Sequence, residues 1–257
     1  AFLFVVEATL RGRQLRILGT VGRTRELMEH SAMDLTAPER LVFPYERVML
    51  TGLALAEVPR SILLLGLGGG AMCRHLDAYF PGAEITVVER ERAIIAFART
   101  YFHIARPVLR ADAADVVADH AGAFDVVLAD LYDAGGAAPL DDVFWQDCIA
   151  ALKPGGAVAI NWAGGWTGTE FPGTPQQRIA RVTPALKGSF LIAERGPRGN
   201  VIQLVPAETG FRAASLRRRF EAFARSHGLP REDRDVLQRC DVGGKLKPGN
   251  RRGGSGD

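Results

Sequence analysis

Short runs of apolar residues alternate with segments of helical periodicity over most of the chain from residue 62 onward. Runs of this kind, bounded by glycine, proline or acidic residues, are typical of strands buried on both faces of a parallel sheet. Between the runs, apolar positions recur with the spacing of amphipathic helices. This alternation predicts an α/β fold with a parallel sheet and helices on both faces. The predicted strands are residues 62–65, 85–88, 107–109, 124–130 and 157–162, and the predicted helices are 45–57, 71–79, 90–103, 113–120, 143–152 and 211–227.

The two ends of the chain have different patterns. Short strand candidates at 2–6, 15–18 and 26–29, with glycines between them, predict an N-terminal β-hairpin element over residues 1–44. Two later runs, 189–194 and 201–205, are joined by a short connection, which predicts an antiparallel hairpin at the sheet edge. After Cys240 the composition is mostly glycine, basic residues, proline and serine, which predicts a disordered tail over 241–257. The α/β domain is therefore expected to span 45–240.

Composition narrows the functional classes. Hydrophobic residues make up 47% of the 257 residues, enough for a full core, and the net charge of +3 does not indicate nucleic-acid binding. No apolar run approaches the ~20 residues that a membrane span needs, and the first ten residues lack the basic leader of a signal peptide. The three cysteines are far apart, so neither a disulfide framework nor a metal site is expected, and a cytoplasmic location fits.

A glycine-rich turn joins the first predicted strand to the next helix, and the strand after that ends in Glu89. The turn reads Gly66-Leu67-Gly68-Gly69-Gly70. Its glycines allow the backbone to approach a ligand, and an acid about 20 residues on can accept the ribose hydroxyls of a nucleoside. In the G-x-G-x-x-G motif of dinucleotide-binding proteins the third glycine falls at position 71, where this chain has Ala71, a residue that the looser form of the motif tolerates. The alternative interpretation is a tight strand-to-helix turn with no ligand and a solvated Glu89. Dinucleotides and S-adenosyl compounds both fit this segment.

Acidic residues also follow the later predicted strands, and strand ends in a parallel sheet meet in one crevice. Asp112 can accept a bond from an adenine amino group, or cap the helix that begins at Ala113. Asp130 ends an apolar strand, which makes it a candidate base or anchor for a cationic substrate. Asp133, beside Tyr132, would add to the same negative pocket.

These segments resemble the spermidine synthase family of aminopropyltransferases, which have a Rossmann-like class I methyltransferase fold. The resemblance covers residues 45–205. It is carried by the stretches LGLGGGAMCR, VVERERAIIAFARTYF, RADAADVV, DLYD and ALKPGGAVAIN.

The resemblance implies decarboxylated S-adenosylmethionine as donor and a polyamine or other small amine as acceptor, with no metal. It implies donor contacts from the glycine turn (Gly66, Gly68, Gly69), from Glu89, and from Asp112 with Ala113. Asp130 would receive the proton of the acceptor amine. Tyr45, Glu46, Tyr132 and Asp133 would bind the acceptor. We also expect a homodimer without nucleic-acid or membrane partners.

Several positions depart from the family pattern. The family's glycine loop carries an acid where this chain has Gly69, and that acid helps to hold the aminopropyl ammonium. Glu46 replaces a neutral residue and could restore one negative charge. The residues expected to bind the donor nucleoside thus match the family pattern, whereas those expected to bind the polyamine differ from it. Two alternatives stay open: a methyltransferase that uses intact S-adenosylmethionine on a small substrate, and a non-catalytic nucleoside-binding relative. We further expect Gly69→Asp to improve discrimination between the two donors.

Overall fold

The computed structural model describes residues 2–22, 27–56, 58–131, 141–162, 179, 186, 188–194, 200–207 and 212–245. The strands are β1 (Phe2–Leu10), β2 (Arg13–Val21), β3 (Leu27–Asp34), β4 (Ser61–Leu65), β5 (Glu84–Val88), β6 (Phe124–Ala129), β7 (Leu152–Trp162), β8 (Phe190–Glu194), β9 (Val201–Pro206) and β10 (Cys240–Lys245). The helices are α1 (Pro44–Met49), α2 (Ala71–Tyr79), α3 (Arg92–Phe102), α4 (Ala113–Asp119), α5 (Asp142–Ala150), α6 (Ala213–Ser226) and α7 (Arg231–Arg234).

The central sheet has seven strands in the order β10-β8-β9-β7-β6-β4-β5. Strands β5, β4, β6 and β7 are parallel, whereas β9, β8 and β10 are joined antiparallel. Alternate residues of β4 point to opposite faces, with Ile62 and Leu64 in one hydrophobic cluster and Leu63 and Leu65 in another. Helices α2 and α6 contribute to the first cluster, and α4 and α5 to the second. This arrangement confirms the α/β fold with helices on both faces.

The N-terminal element is a three-stranded antiparallel sheet in the order β1-β2-β3. Its strands are longer than the predicted ones, because backbone pairing continues past the apolar residues. Leu18 of β2 and Met33 of β3 pack against Phe102 of α3. The predicted boundary at residue 44 lies between the two sheets, and β3 is held against the side of the α/β region.

Two predicted elements are shorter than expected. The strand at 107–109 is a single bridge between Val88 and Leu109, because Pro107 has no N–H to extend the ladder. The helix at 45–57 ends at Met49 and continues as a 3₁₀ turn, Leu50–Gly52. The Thr51 hydroxyl donates to the Val48 carbonyl at 2.6 Å, and an added Cβ on Gly52 would lie 2.9 Å from the Ala159 side chain. Close packing of this turn on the sheet explains its tight geometry.

The C-terminal segment corrects the predicted tail. Residues 240–245 form β10, which pairs with β8, so the hairpin of β8 and β9 is not the edge of the sheet. Backbone hydrogen bonds to a neighbouring strand do not require apolar side chains, and composition therefore missed this strand. Residues 246–257 of the predicted tail lie outside the described residues. In the part of the chain that the structure describes, no helix combines the length and apolarity needed to cross a membrane.

Candidate active site

The glycine turn lies at the carboxyl edge of the parallel strands. The Gly66 N–H donates to the Val88 carbonyl at 2.9 Å, and the Asp130 N–H donates to the Leu65 carbonyl at 2.9 Å. Gly66 has φ +95°, and a Cβ there would lie 2.1 Å from the Asp130 carbonyl oxygen. Glycine is therefore required at position 66, because any side chain would push the end of β6 away from the turn.

Glu89 is half-buried directly beside this turn. One carboxylate oxygen accepts from the Leu67 N–H at 3.1 Å, and the other accepts from the Glu91 N–H at 2.8 Å. Each carboxylate oxygen can accept a further bond. The backbone thus fixes Glu89 and leaves it capacity for hydroxyl donors.

Asp112 follows the short bridge next to β5 and caps helix α4. Its Oδ1 accepts from the Ala114 N–H at 3.0 Å, which confirms the capping role considered from the sequence. Its Oδ2 lies 3.4 Å from an Arg90 nitrogen, and Ala113 is buried behind it. The exposed Arg90 guanidinium also lies 3.3 Å from a Glu91 carboxylate oxygen, so it bridges Asp112 and Glu91.

A pocket opens between the glycine turn, helix α1, strand β3 and Asp130. It brings together Tyr45, Glu46, Gly66, Gly68 and Asp130, all of them predicted site residues, whereas Glu89 and Asp112 lie outside its lining. Gly69 faces Ser31 and Phe102. The pocket is lined by His30, Ser31, Tyr45, Glu46, Met49, Leu64, Gly66, Leu67, Gly68, Ala71, Met72 and Asp130.

Asp130 is held by side chains from both sides of the pocket. The Tyr45 hydroxyl donates to one carboxylate oxygen at 3.3 Å, and the Asn161 amide donates to the other at 2.8 Å. Asn161 in turn accepts from the Asn200 amide at 2.9 Å. The sequence interpretation did not single out Asn161, although a polar residue near the end of an apolar strand was the signal that pointed to Asp130.

Glu46 has a different environment from Asp130. It is 4% exposed, and its carboxylate accepts from the Phe43 N–H at 3.0 Å. Burial raises the pKa of Glu46 to about 8, the Phe43 hydrogen bond opposes that rise, and the charge of Asp130 adds to it. Burial beside another acid therefore favours the neutral form of Glu46, which opposes the expectation that Glu46 restores a negative charge to the site.

His30 and Ser31 of β3 also line the pocket, and nothing in the sequence pattern marked them. The His30 Nε2 lies 2.8 Å from the Thr20 hydroxyl, and burial lowers the pKa of His30. Both residues reach the site only because the N-terminal sheet packs beside α2 and α3. Local periodicity cannot report such a contact.

Tyr132 and Asp133, the remaining predicted acceptor residues, lie outside the described residues. Among the residues that are described, no group of three or more His, Cys, Asp or Glu side chains could hold a metal ion. The expected absence of a metal stays a prediction.

Parallel strands with a glycine turn after the first of them and an acid after the second are typical of Rossmann-like α/β proteins. Solved structures agree. Human methyltransferase-like protein 13 in complex with SAH aligns with a TM-score of 0.60 and 22% identity, over 74% of this chain and 95% of that one. A probable spermidine synthase from Corynebacterium glutamicum aligns with a TM-score of 0.64 and 18% identity, over 95% of this chain and 88% of the other. The fold is thus the methyltransferase-like one expected from the sequence.

Sequence comparisons identify the family within this class. The family model described as the spermine/spermidine synthase domain matches residues 43–182. A polyamine aminopropyltransferase from Chromobacterium violaceum is 32% identical over 212 residues, which cover 77% of this chain and 77% of that protein. The chain belongs to the spermine/spermidine synthase family.

Proposed function

We propose that the protein is a transferase that moves an aminopropyl group from decarboxylated S-adenosylmethionine to a polyamine acceptor. The observation that carries this proposal is the position of Asp130. Its carboxylate lines a pocket directly beside the glycine turn, where it accepts hydrogen bonds from the Tyr45 hydroxyl and the Asn161 amide. A carboxylate held at the pocket in this way suits a group that must attract and deprotonate an amine.

In the proposed reaction, the amine nitrogen of the acceptor attacks the propyl carbon attached to the sulfonium. A carbon–nitrogen bond forms, the carbon–sulfur bond breaks with its electron pair going to sulfur, and methylthioadenosine leaves. The proton lost by the amine passes to Asp130. Because the sulfonium is already a good leaving group, the protein contributes mainly by aligning the reactants, an effect that can be worth ~7–11 kcal/mol.

We assign the donor nucleoside to the surface outside the pocket and the reacting arm to its interior. Gly66 and Gly68 would lie against the donor, Glu89 would accept the ribose hydroxyls, and Asp112 with Ala113 would contact the adenine. Tyr45 and Glu46 would face the acceptor, and Tyr132 and Asp133 stay predicted acceptor residues. Arrival of a cationic amine would favour the ionised form of Glu46, so binding would release a proton near neutral pH.

Methyl transfer from intact S-adenosylmethionine is the second candidate. The observation that favours it is Ser31, a neutral residue that lines the pocket and packs against Gly69, the position at which the family carries an acid. A neutral wall does not repel the carboxylate of the intact donor. The two candidates differ in their products, which makes them separable in one assay.

The deciding experiment incubates the protein with each donor and a panel of amines, and identifies the products by mass spectrometry. Aminopropyl transfer yields methylthioadenosine and an acceptor enlarged by an aminopropyl group. Formation of S-adenosylhomocysteine and a methylated amine would instead support the second candidate. Nucleoside binding without either product would support the non-catalytic alternative.

Glu89→Ala tests the nucleoside half separately. Hydrogen bonds to a charged group contribute about 1.5–3 kcal/mol, so the affinity for methylthioadenosine should fall about 10- to 100-fold when measured by calorimetry. Glu91→Ala is the matched control, because the neighbouring Glu91 side chain is 62% exposed. Equal losses in the two variants, or binding of NAD in place of methylthioadenosine, would contradict the assignment.

We also propose a cytoplasmic homodimer that acts on small molecules rather than on nucleic acid or membranes. The cysteines Cys73, Cys148 and Cys240 are buried and form no disulfide bond, which suits a reducing compartment. On the N-terminal sheet, Phe2, Leu27 and Met28 are 82%, 72% and 52% exposed, an apolar surface that a second subunit could cover. Light scattering on the purified chain tests the dimer, and Leu27→Lys should shift it toward monomer.

A further inference from the structure

Ser31 of β3 lies directly over the glycine turn, although it belongs to a different sheet. An ideal Cβ built on Gly69 would lie 2.9 Å from the Ser31 Oγ and 3.0 Å from the Ser31 Cβ. One built on Gly68 would lie 3.6 Å from the Ser31 Cβ. Ser31 is 3% exposed and lines the pocket. Its hydroxymethyl group therefore fills the space into which a side chain at position 69 would extend.

This contact corrects the expectation for Gly69→Asp. Atoms separated by 2.9–3.0 Å are closer than normal carbon contacts of about 3.5–4.0 Å. The Phe102 ring, 3.2 Å from the same Cβ position, further restricts the space for a side chain. An aspartate at 69 would have to displace Ser31 before it could face the pocket, so the single substitution would not simply add a charge.

We propose that Ser31 is a specificity-determining residue of the donor site, where its hydroxyl forms the neutral wall that receives the propyl arm. The inference rests on the proposed function. The nucleoside residues Glu89 and Asp112 lie outside the pocket, whereas Asp130 lines it. A donor whose reacting carbon approaches Asp130 must therefore extend its arm past the glycine turn and Ser31.

A hydroxyl suits both forms of the donor. It can accept a hydrogen bond from the ammonium of the decarboxylated compound or donate one to the carboxylate of the intact compound. A carboxylate in the same place would attract the ammonium and repel the carboxylate. Ser31 and Gly69 therefore act together. The neutral hydroxyl of Ser31 and the lack of a charged side chain at position 69 give weak discrimination between the two donors.

The test exchanges the two members of the pair. Calorimetry measures the binding of decarboxylated S-adenosylmethionine, intact S-adenosylmethionine and methylthioadenosine, which lacks the arm, to the full chain and its variants. The variants are Ser31→Ala, Gly69→Asp and the double variant Ser31→Gly/Gly69→Asp. Ser215→Ala, a serine on α6 outside the pocket lining, is the matched control.

The double variant should shift the preference toward the decarboxylated donor by about 10- to 100-fold, the size of one hydrogen bond to a charged group. Gly69→Asp alone should shift it much less, because Ser31 blocks the aspartate. Ser31→Ala should weaken both donors about 10- to 100-fold relative to methylthioadenosine, because each donor loses one hydrogen bond to a charged group. Ser215→Ala should change none of the three affinities.

Three results would overturn the proposal: an unchanged preference in the double variant while methylthioadenosine still binds, an equal shift from Gly69→Asp alone, or unchanged donor affinities in Ser31→Ala. The Ser31→Ala result decides the matter if the double variant does not fold. Failure of the wild type to bind methylthioadenosine would overturn the proposed function itself, and is thereby distinguished from failure of the Ser31 assignment.

Discussion

The two ends of strand β6 each carry an aspartate, and their surroundings differ. At the amino end, one oxygen of Asp125 accepts from the Arg60 N–H at 2.9 Å and from the Ser61 N–H at 2.8 Å. The Ser61 hydroxyl donates to the same oxygen at 2.9 Å, and the Lys153 ammonium lies 3.5 Å away. Burial alone would raise the pKa of Asp125, but these hydrogen bonds and the Lys153 charge outweigh it and lower the pKa.

At the carboxyl end, Asp130 is held by side chains and borders the pocket, where buried Glu46 adds a second acid. Asp125 accepts backbone hydrogen bonds that fix the start of β4, whereas Asp130 lines the pocket. The comparison teaches that an acid at a strand end becomes a candidate for chemistry when its partners leave it open to a pocket. A position at the edge of the sheet is not by itself sufficient to make an acid a catalytic candidate.

The largest expected effect is on turnover, which should depend on Asp130 and not on Asp125. Asp130→Asn keeps the shape and removes the charge, so turnover should fall by roughly 10²–10⁴, while the affinity for methylthioadenosine changes little. Asp125→Asn should leave kcat unchanged, because its side chain faces the opposite edge of the sheet. Steady-state kinetics with calorimetry on both variants provides the measurement. Equal losses of binding and turnover in Asp130→Asn would make Asp130 a structural or nucleoside residue.

The two substitutions should rank in the opposite order by their effect on stability, with Asp125→Asn the more damaging. Asp125→Asn replaces a charged acceptor of several hydrogen bonds, so the free energy of unfolding at pH 7 should drop by about 1–3 kcal/mol, as measured by urea denaturation. Because the folded pKa of Asp125 is lowered, its contribution is present above the unfolded value of 3.8 and is lost as the pH falls through the folded pKa. The difference between wild type and variant should therefore shrink in acid. A difference that persists at low pH would contradict this origin.

The last expected effect is a pH dependence that originates at Glu46. Burial raises the folded pKa of Glu46 to about 8, so the ionised form is disfavoured in the fold, and stability falls as the pH rises toward that value. Glu46→Gln cannot ionise, so its stability relative to wild type should increase as the pH is raised from about 4 to about 9. Melting temperatures across this range measure it. A constant difference would show that Glu46 does not titrate in this window.

The sequence correctly predicted those helices and strands whose ends are set by neighbouring residues in the chain. Helix α2 has the predicted bounds because Gly70 precedes it and Pro81 with Gly82 follows it. Asp130 was predicted as a site residue because one acid ends an apolar run. The 3₁₀ turn after α1, strand β10 and the approach of Ser31 to Gly69 depend on segments far apart in the chain. Periodicity has no access to such contacts, and the protonation of Glu46 likewise depends on burial that only the fold creates.

Strand β10 has a consequence for how the chain behaves at high concentration. It covers the outer edge of β8, whose residues Phe190, Leu191 and Ile192 are buried. Without this cover, β8 would present a row of unpaired N–H and carbonyl groups beside apolar side chains, a template on which other chains can add strands. The register shift between Val242 and Lys245 breaks the regular pairing of β10 itself, and irregularities of this kind make an outermost strand a poor template. Strand β10 thus protects the sheet edge from aggregation. Its removal should lower the solubility of the protein more than it lowers the activity of the molecules that stay in solution.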